Sequence, residues 1–268
     1  MQSLQSGAHR LNYDVIDMVA PWHDRRPPIL FHHGVGSIME IWTDWIFALA
    51  DRYRIIRFDM LGFGRSQVPA PDFAWTMEGL AADILAVADA AEAPTFHFVG
   101  ESMGGTIGLK CALGHQERFA SLTVSNGSHM GGSIEKVEAW RRQIDEGGVQ
   151  GWSDQFMEDR FYQDSLPSER REWFSRQQAA GNRHSILNAL AVLVGTDLRP
   201  QLASLHKPAL LLHADASPFI PAAIMADLHA RLGESELQIF SHAKHGLPFS
   251  HGLACAGVLR DFLERKST

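Results

Sequence analysis

The sequence predicts an α/β fold in which a mostly parallel sheet carries helices on both faces. Short apolar runs, rich in β-branched and aromatic residues, recur along the chain as buried parallel strands do. Longer runs with helical periodicity separate them, and such alternation is typical of parallel sheets. One interval, from about residue 128 to residue 198, lacks a convincing strand and is predicted to be helical.

Six short runs bounded by turn residues are the predicted strands. In chain order they are Pro28–His32, Arg54–Phe58, Thr95–Val99, Leu122–Ser125, Ala209–His213 and Leu237–Phe240. Five further runs have the apolar spacing of helices. These are Trp42–Asp51, Met77–Ala91, Met103–Leu113, Ala222–Leu232 and Leu253–Arg265.

The helical interval is interpreted as a cap over the carboxyl edge of the sheet, spanning 128–198, with 1–127 and 199–268 forming the core. An ordinary set of surface crossover helices is the alternative. The cap is favoured because the interval holds more aromatic side chains than a solvated surface needs. They are Trp140, Trp152, Phe156, Phe161, Tyr162, Trp173 and Phe174.

Composition narrows the class of protein. The formal charge of -7 argues against a nucleic-acid binder, which should show a basic face. We expect neither a signal peptide in Met1–Arg10 nor a membrane span, since no apolar run is long enough. Cys111 and Cys255 are isolated and are predicted to be buried thiols. We expect a cytoplasmic protein with a small-molecule substrate, a homodimer being left open, and without cofactor, metal, membrane or nucleic acid.

A glycine-rich junction, "VGESMGG" (99–105), suggests the first functional residue, Ser102. A serine hydroxyl is a weak nucleophile that must be presented to substrate and given a base. A sharp turn from strand to helix presents it, provided that the flanking residues are small. We predict Ser102 as the nucleophile, with the Met103 amide at the helix N-terminus facing the oxyanion. A turn with a solvated serine is the alternative.

A second oxyanion donor is expected in "LFHHGVG" (30–36), where the first predicted strand ends. The backbone N–H of Val35 is the candidate, and Gly34 would let the main chain approach substrate closely. His32 and His33 are interpreted as structural side chains that hold this loop, because they lack the partners of a metal site.

The base is expected among three histidines in "IFSHAKHGLPFSH" (239–251), after the last predicted strand. His245 is preferred to His242 and His251 because Gly-Leu-Pro follows it, as in a loop that leads into a terminal helix.

Over nearly its whole length the chain resembles the α/β-hydrolase fold superfamily. The matching segments are "HGVG" (33–36), "RFDMLGFGRS" (57–66), "VGESMGG" (99–105), "LLLHADASPFIP" (210–221) and "AKHGLP" (243–248). The resemblance implies an eight-stranded, mostly parallel sheet with helices on both faces and a helical cap. It also implies a structural role for Asp59 in the loop beside the site. The cap and "GTDLRPQL" (195–202) are similar to the branch with 3-oxoadipate enol-lactonases and other hydrolases of ring-degradation pathways.

The resemblance implies a triad acid after the seventh strand or, in some relatives, at the end of the sixth. Those positions hold Ser217 and Asn126, both neutral. Three interpretations follow: Asp215 reaches His245 from a shifted loop, Asn126 orients the histidine through its side-chain carbonyl, or no acid acts. Neutralising a triad acid can cost on the order of 10⁴ in rate.

Arginines in the cap suggest a substrate carboxylate, which a guanidinium binds in a bidentate way. Arg141 and Arg160 are the candidates, although a solvated helix face is the alternative for either one. Glu101, beside the nucleophile, is interpreted either as a substrate contact or as a bond to neighbouring loops.

Three functions are therefore considered. The first is a serine hydrolase that cleaves a small, carboxylated ester, lactone or amide through an acyl-enzyme. The second is a C–C bond hydrolase or cofactor-free oxygenase of an aromatic or heterocycle degradation pathway, with histidine as the key base. The third is a ligand-binding protein on a hydrolase scaffold that has lost its acid.

Overall fold

The computed structural model describes residues 2–134 and 136–266 and contains an eight-stranded sheet. The strands lie in the order β1-β2-β4-β3-β5-β6-β7-β8. Their bounds are β1 Gln2–Ser6, β2 His9–Ile16, β3 Ile29–His32, β4 Ile55–Phe58, β5 Phe96–Glu101, β6 Phe119–Ser125, β7 Ala209–Ala214 and β8 Ser235–Phe240. All six predicted strands are confirmed, each within a few residues of its expected ends.

Strands β3 to β8 pair in parallel, whereas β1 and β2 form an antiparallel hairpin joined to β4. The hairpin was not among the six runs recognised in the sequence. Both strands are polar and partly exposed, so neither contains the short apolar run by which the other strands were recognised. Gly7 supplies the positive φ of 55° that the two-residue turn requires.

The central strands β3 to β7 are largely buried, and their consecutive residues point to opposite faces of the sheet. Leu30 and Ile56 join the core cluster that holds helices α2 and α3, whereas Phe31 and Ile55 join the cluster that holds α1 and α9. The helices are α1 Thr43–Leu49, α2 Met77–Ala90, α3 Met103–Gly114, α4 Val137–Arg160, α5 Ser168–Ala179, α6 Arg183–Val194, α7 Ala222–Arg231, α8 Leu247–Ser250 and α9 Gly252–Lys266. The five predicted helices correspond to α1, α2, α3, α7 and α9.

Helices α4 to α6 fill the interval between β6 and β7, and we call residues 137–194 the cap helices. The two ends of the interval between β6 and β7 are held together where Met130 and Asp197 form an isolated antiparallel bridge. The Leu198 amide also donates to the His129 carbonyl at 2.9 Å. Helix α4 breaks at Gly148, whose φ is 67°. A division of the chain into separate core and cap domains stays an interpretation.

Most cap aromatics face inward rather than toward solvent. Trp140, Trp152, Phe156, Phe161 and Phe174 are buried, while Tyr162 and Trp173 are partly exposed. The two cysteines are buried thiols as predicted, and burial raises the pKa of Cys111 to about 12. In the described part of the chain, no helix is long and apolar enough to cross a membrane.

Candidate active site

Ser102 lies at the turn between β5 and α3, with φ of 53° and ψ of -121°. A non-glycine residue at positive φ is strained, and such strain is typical of a residue exposed at an elbow. The flanking glycines are required by space. A Cβ on Gly100 would lie 2.5 Å from the Gly104 carbonyl oxygen, and one on Gly104 would lie 2.5 Å from the His32 carbonyl oxygen. The serine is thus held by a turn that only small neighbours permit.

His245 is the histidine that reaches this serine. Its Nε2 lies 2.9 Å from Ser102 Oγ, and the side chain is buried in the loop after β8. His242 instead stacks on Tyr162 at the surface, 3.2 Å from Asp164. His251 contacts the Ser250 hydroxyl. The structure therefore brings the preferred histidine to the nucleophile.

Asp215 does not contact His245, so the prediction that its carboxylate orients the imidazole is wrong. Its two oxygens accept from the main-chain amides of His242 and Ala243, at 3.0 and 3.1 Å. Ser217 Oγ lies 3.1 Å from His245 Nδ1 instead. Both carboxylate oxygens of Asp215 therefore stabilise the histidine loop. The neutral hydroxyl of Ser217 lies where the acid of a triad would contact the imidazole.

Asn126 does not orient the imidazole through its side-chain carbonyl either. Its Oδ1 accepts from the Ala214 amide at 3.0 Å, and its Nδ2 donates to the main-chain carbonyl of His245 at 2.9 Å. With a φ of 47°, this buried residue joins the end of β6 to the end of β7 and to the histidine loop. Asn126 therefore supports the histidine loop through hydrogen bonds to the main chain.

The imidazole of His245 is in an environment that disfavours its protonated form. Burial lowers its pKa well below 6.5, and the positive charge of Arg160 and neighbouring His213 act in the same direction. Phe219 packs edge-on against the ring, with 4.7 Å between centroids. In the tautomer that accepts from Ser102, the Nδ1–H donates to Ser217 Oγ, which also accepts from the Ile220 amide at 3.4 Å. The hydroxyl orients the ring without supplying a charge.

The candidate oxyanion donors are the amides of Met103, next to Ser102 in the chain, and of Val35, in the loop after β3. The Met103 amide is at the first position of α3, where helix amides have no partner in the preceding turn. The Gly34 carbonyl accepts from His33 Nδ1–H at 2.8 Å and from the Ser37 amide at 3.3 Å. Because a trans peptide directs its C=O and N–H oppositely, the Val35 N–H points away from those bonds.

Gly34 contributes space rather than a donor. Its own amide donates to Glu101 Oε2 at 2.7 Å, so it is not available to an oxyanion. A Cβ at this position would lie 2.9 Å from Ser102 Cβ, which only glycine avoids. The main chain at Gly34, which was expected to approach substrate closely, therefore lies close to Ser102.

Glu101 and Arg160 form a buried ion pair in the site, with 3.3 Å between Oε1 and Nη1. Arg160 Nη2 donates to the Val35 carbonyl at 2.6 Å, and Nε donates to Gln178 Oε1 at 3.0 Å. Burial raises the pKa of Glu101, while the guanidinium of Arg160 opposes that shift. Of the two interpretations of Glu101, bonding to neighbouring loops agrees with these contacts.

The other cap arginine named from sequence is far from this arrangement. Arg141 has a side chain that is 44% exposed and lies 3.7 Å from Glu138 on the same helix. Its predicted role in binding a substrate carboxylate is not supported, because solvent and a neighbouring acid already satisfy it. Arg183, another arginine of the cap helices, pairs with Asp145 at the surface.

His33 and Asp59 hold the loops around the site, in agreement with their structural interpretation. His33 Nε2 accepts from the Met60 amide at 3.0 Å, and burial lowers its pKa. Asp59 accepts from Asn12 Nδ2 and from the Met39 and Arg65 amides, at 2.9 to 3.0 Å. A neighbouring imidazole, His32, is buried and has a pKa of about 3.

A pocket of about 370 Å³ of empty volume, its open mouth included, lies between the catalytic pair and the cap. Its walls are almost entirely apolar, and Arg160 is the one ionic group among the described lining residues. They are Val35, Ser102, Ile134, Trp140, Trp152, Phe156, Arg160, Leu190, Leu193, Phe219, Ile220 and His245. Within residues 2–134 and 136–266, no three histidine, cysteine, aspartate or glutamate side chains cluster as metal ligands would.

Sequence reasoning missed two features of this site. The Ser217–His245 contact had a signal, because Ser217 stands at the position where the resemblance implies an acid. The Glu101–Arg160 contact had none, since 59 residues separate the partners and no pattern links them.

An eight-stranded sheet, a strained serine at the elbow and a histidine from the last loop define an α/β hydrolase. A sequence model of the alpha/beta hydrolase fold matches residues 27–252, and the chain belongs to this family. It is an enzyme of the hydrolase class, as its named relatives are.

Three known proteins illustrate the similarity. 3-Oxoadipate enol-lactonase 2 of Acinetobacter baylyi is 26% identical over 249 residues, covering 88% of this chain and 90% of its own. A pimeloyl-[acyl-carrier protein] methyl ester esterase of Vibrio atlanticus is 28% identical, covering 85% and 91%. The crystal structure of an enol-lactonase from Burkholderia xenovorans superposes with a TM-score of 0.89 at 21% identity, covering 98% and 100%.

Proposed function

We propose that this chain is a serine hydrolase that cleaves a small ester or lactone with an uncharged, apolar acyl group. The observation that carries the proposal is the 2.9 Å contact between Ser102 Oγ and His245 Nε2 at the floor of an apolar pocket. Acyl transfer through a serine requires at least a hydroxyl with a base within hydrogen-bond distance. Relatives named as an enol-lactonase and a methyl ester esterase support the reaction class.

In the proposed mechanism Ser102 Oγ attacks the carbonyl carbon while His245 Nε2 takes its proton. Negative charge moves to the carbonyl oxygen, where the Val35 and Met103 amides receive it. The imidazolium then returns the proton to the departing alkoxide, leaving the acyl-enzyme. Water, deprotonated by the same nitrogen, releases the acid and restores Ser102.

The acyl group is proposed to be uncharged because of the pocket walls. Trp140, Trp152, Phe156 and Phe219 surround it, and burial of apolar surface favours apolar groups. The charge of Arg160 is already offset by Glu101 at 3.3 Å. A second carboxylate beside that pair would add an unpaired buried charge, which is costly. The carboxylated substrate expected from sequence is therefore not favoured.

Nitrophenyl acetate, nitrophenyl butyrate and mono-nitrophenyl succinate test the reaction and the acyl preference together. We expect saturable turnover of the two neutral esters and a kcat/KM about tenfold or more lower for the succinate. Ser102→Ala and His245→Ala should each abolish turnover, and a fluorophosphonate probe should label only chains with Ser102. Unchanged turnover by Ser102→Ala on a ring-cleavage product, with His245→Ala inactive, would favour histidine-based chemistry instead. No labelling of the wild type would favour a ligand-binding role.

A further inference from the structure

The carboxyl end of cap helix α4 contacts three segments that build the catalytic site. Through its side chain, Arg160 bonds the Val35 carbonyl at 2.6 Å and Glu101, the residue before the nucleophile, at 3.3 Å. Through its main chain, the Arg160 carbonyl accepts from the amide of Gly246, the residue after the base, at 3.0 Å. One cap residue thus touches the oxyanion loop, the elbow and the histidine loop.

The Gly34–Val35 peptide, which carries the proposed oxyanion N–H, is held on both sides by the ion pair. Glu101 Oε2 accepts from the Gly34 amide on one side at 2.7 Å, and Arg160 Nη2 bonds the Val35 carbonyl on the other. Since the two side chains pair with each other, they fix the flanking peptides as a unit. The direction of the Val35 N–H is thus set by that unit together with the bonds that the Gly34 carbonyl accepts from His33 and Ser37.

The guanidinium is also held by side chains of the cap helices. The side chain is 2% exposed, Nε is bonded to Gln178 of α5, and the rings of Phe156 and Phe174 lie 4.8 and 5.1 Å from its carbon Cζ. Gln178 is in turn bonded to Ser153 of α4 at 3.0 Å. Arg160 therefore moves with α4 and α5, while its bonding partners Val35 and Glu101 belong to the sheet core.

We propose that Arg160 is a positioning residue that makes the oxyanion hole dependent on the docked cap. The inference rests on the proposed serine hydrolase function. When α4 is docked, the guanidinium orients the Val35 peptide for the developing negative charge. When α4 withdraws, the Val35 carbonyl and Glu101 lose their partner, and the two peptides that flank the Val35 N–H are no longer fixed by the ion pair. Acyl transfer is thereby confined to the closed, water-excluding arrangement.

The test compares variants of Arg160 on the neutral nitrophenyl ester. Arg160→Met alone would leave Glu101 buried and unpaired, so it is combined with Glu101→Gln, which keeps an acceptor for the Gly34 amide. We expect the double variant to lose about 10²-fold in kcat with KM changed by less than about threefold. Arg160→Lys should lose about tenfold, because an ammonium cannot make the three directed bonds. Arg176→Met, an exposed cap arginine, is the matched control and should keep wild-type kinetics.

A trifluoromethyl ketone, whose adduct with Ser102 carries an oxyanion, separates positioning from general damage. In the Arg160 variants the inhibition constant of this ketone should rise by the same factor by which kcat/KM falls. Binding of the matching alcohol and the melting temperature of Arg160→Lys should stay near their wild-type values. Wild-type kcat in both Arg160 variants would overturn the proposal. So would a KM increase confined to the succinate ester, since that marks a substrate-binding arginine. An unlabelled, inactive wild type would overturn the proposed function and this inference together.

Discussion

At Ser217 a hydroxyl stands where a carboxylate would stabilise the imidazolium of His245. A hydroxyl at 3.1 Å holds the ring tautomer but contributes no negative charge. Transfer of the serine proton therefore creates a cation in a buried site that also contains Arg160 and His213, both of which lower the pKa of His245. The proposed catalytic pair, Ser102 and His245, is within hydrogen-bond distance, but among the described residues no carboxylate is hydrogen-bonded to the imidazole.

Replacing Ser217 by aspartate should increase activity, because the new carboxylate would stabilise the imidazolium. We expect kcat/KM on nitrophenyl acetate to rise by about 10²-fold or more, toward the 10⁴ attributed to a triad acid. The asparagine in Ser217→Asn has nearly the same shape as the aspartate but no charge, so this variant should not gain activity. Equal rates for the aspartate and asparagine variants would contradict this prediction.

The pH dependence of kcat/KM should report the depressed pKa of His245. The base acts when neutral, and burial holds it neutral to well below pH 6.5. We expect a plateau that extends below pH 6.5 before the rate falls, measured on a substrate whose own ionisation is constant. Ser217→Asp should move the acidic limb upward, because a nearby carboxylate favours the protonated ring. A wild-type midpoint at or above pH 6.5 would refute the assignment.

At the scale of elements, the turn from β5 into α3 has no room for larger side chains. A Cβ on Gly104 would meet the carbonyl oxygens of His32 and His33 at 2.5 and 2.6 Å, so the end of β3 would have to move. Since β3 leads directly into the oxyanion loop, such a shift would reach the catalytic residues. The elbow and the strand beside it behave as one rigid unit.

Gly104→Ala should therefore reduce the free energy of unfolding by about 1–3 kcal/mol and also lower kcat. Gly151→Ala in α4 is the matched control, because a Cβ there meets no atom within 4 Å. It should be neutral or stabilise the chain by up to about 1 kcal/mol, since alanine favours helices over glycine. Urea unfolding of both variants is the measurement. Equal losses of stability would contradict a steric origin.

Strands β3 to β7 were predictable because their apolar runs are short and largely buried, and the partly exposed edge strand β8 was predictable from its apolar run Leu237–Phe240. The polar β1–β2 hairpin was not predictable. The contact between Ser102 and His245 was predictable because each residue lies in a local motif. The partner of His245 was not, because the choice between Asp215 and Ser217 is made by loop geometry. Asp215 lies at the end of β7 and turns to the amides of the histidine loop, while Ser217, two residues later, faces the ring.

At the scale of the whole molecule, several histidines are buried in neutral form. Burial lowers the pKa of His32 to about 3 and that of His97 and His213 to about 4. In the unfolded chain each would titrate near 6.5. Below that pH the unfolded chain binds more protons than the folded one, so acid favours unfolding.

The free energy of unfolding should be independent of these groups above pH 6.5 and fall as the pH drops toward their folded pKa values. Each histidine contributes a loss of about 1.4 kcal/mol per pH unit, so the three together cost about 4 kcal/mol at pH 5.5. Urea midpoints measured at pH 7.5 and 5.5 check the trend. His97→Gln should remove about 1.4 kcal/mol of the loss between these two pH values, because one buried neutral imidazole is then absent. A midpoint that does not move on acidification would contradict the assignment.

The contacts of Arg160 also limit how this enzyme can be recombined with its relatives. A chimera that exchanges the cap helices would cut the chain where Met130 and Asp197 bridge, because that junction is compact and local. Such a graft would nevertheless bring in a foreign residue at position 160 while keeping Glu101 and the Val35 loop of the host. If Arg160 positions the oxyanion hole as proposed, the chimera would have a misaligned oxyanion hole unless residues 34–36 and 101 were exchanged together with the cap helices. The set of residues that must be exchanged together in laboratory evolution is therefore contiguous in the structure but divided among separate segments of the gene.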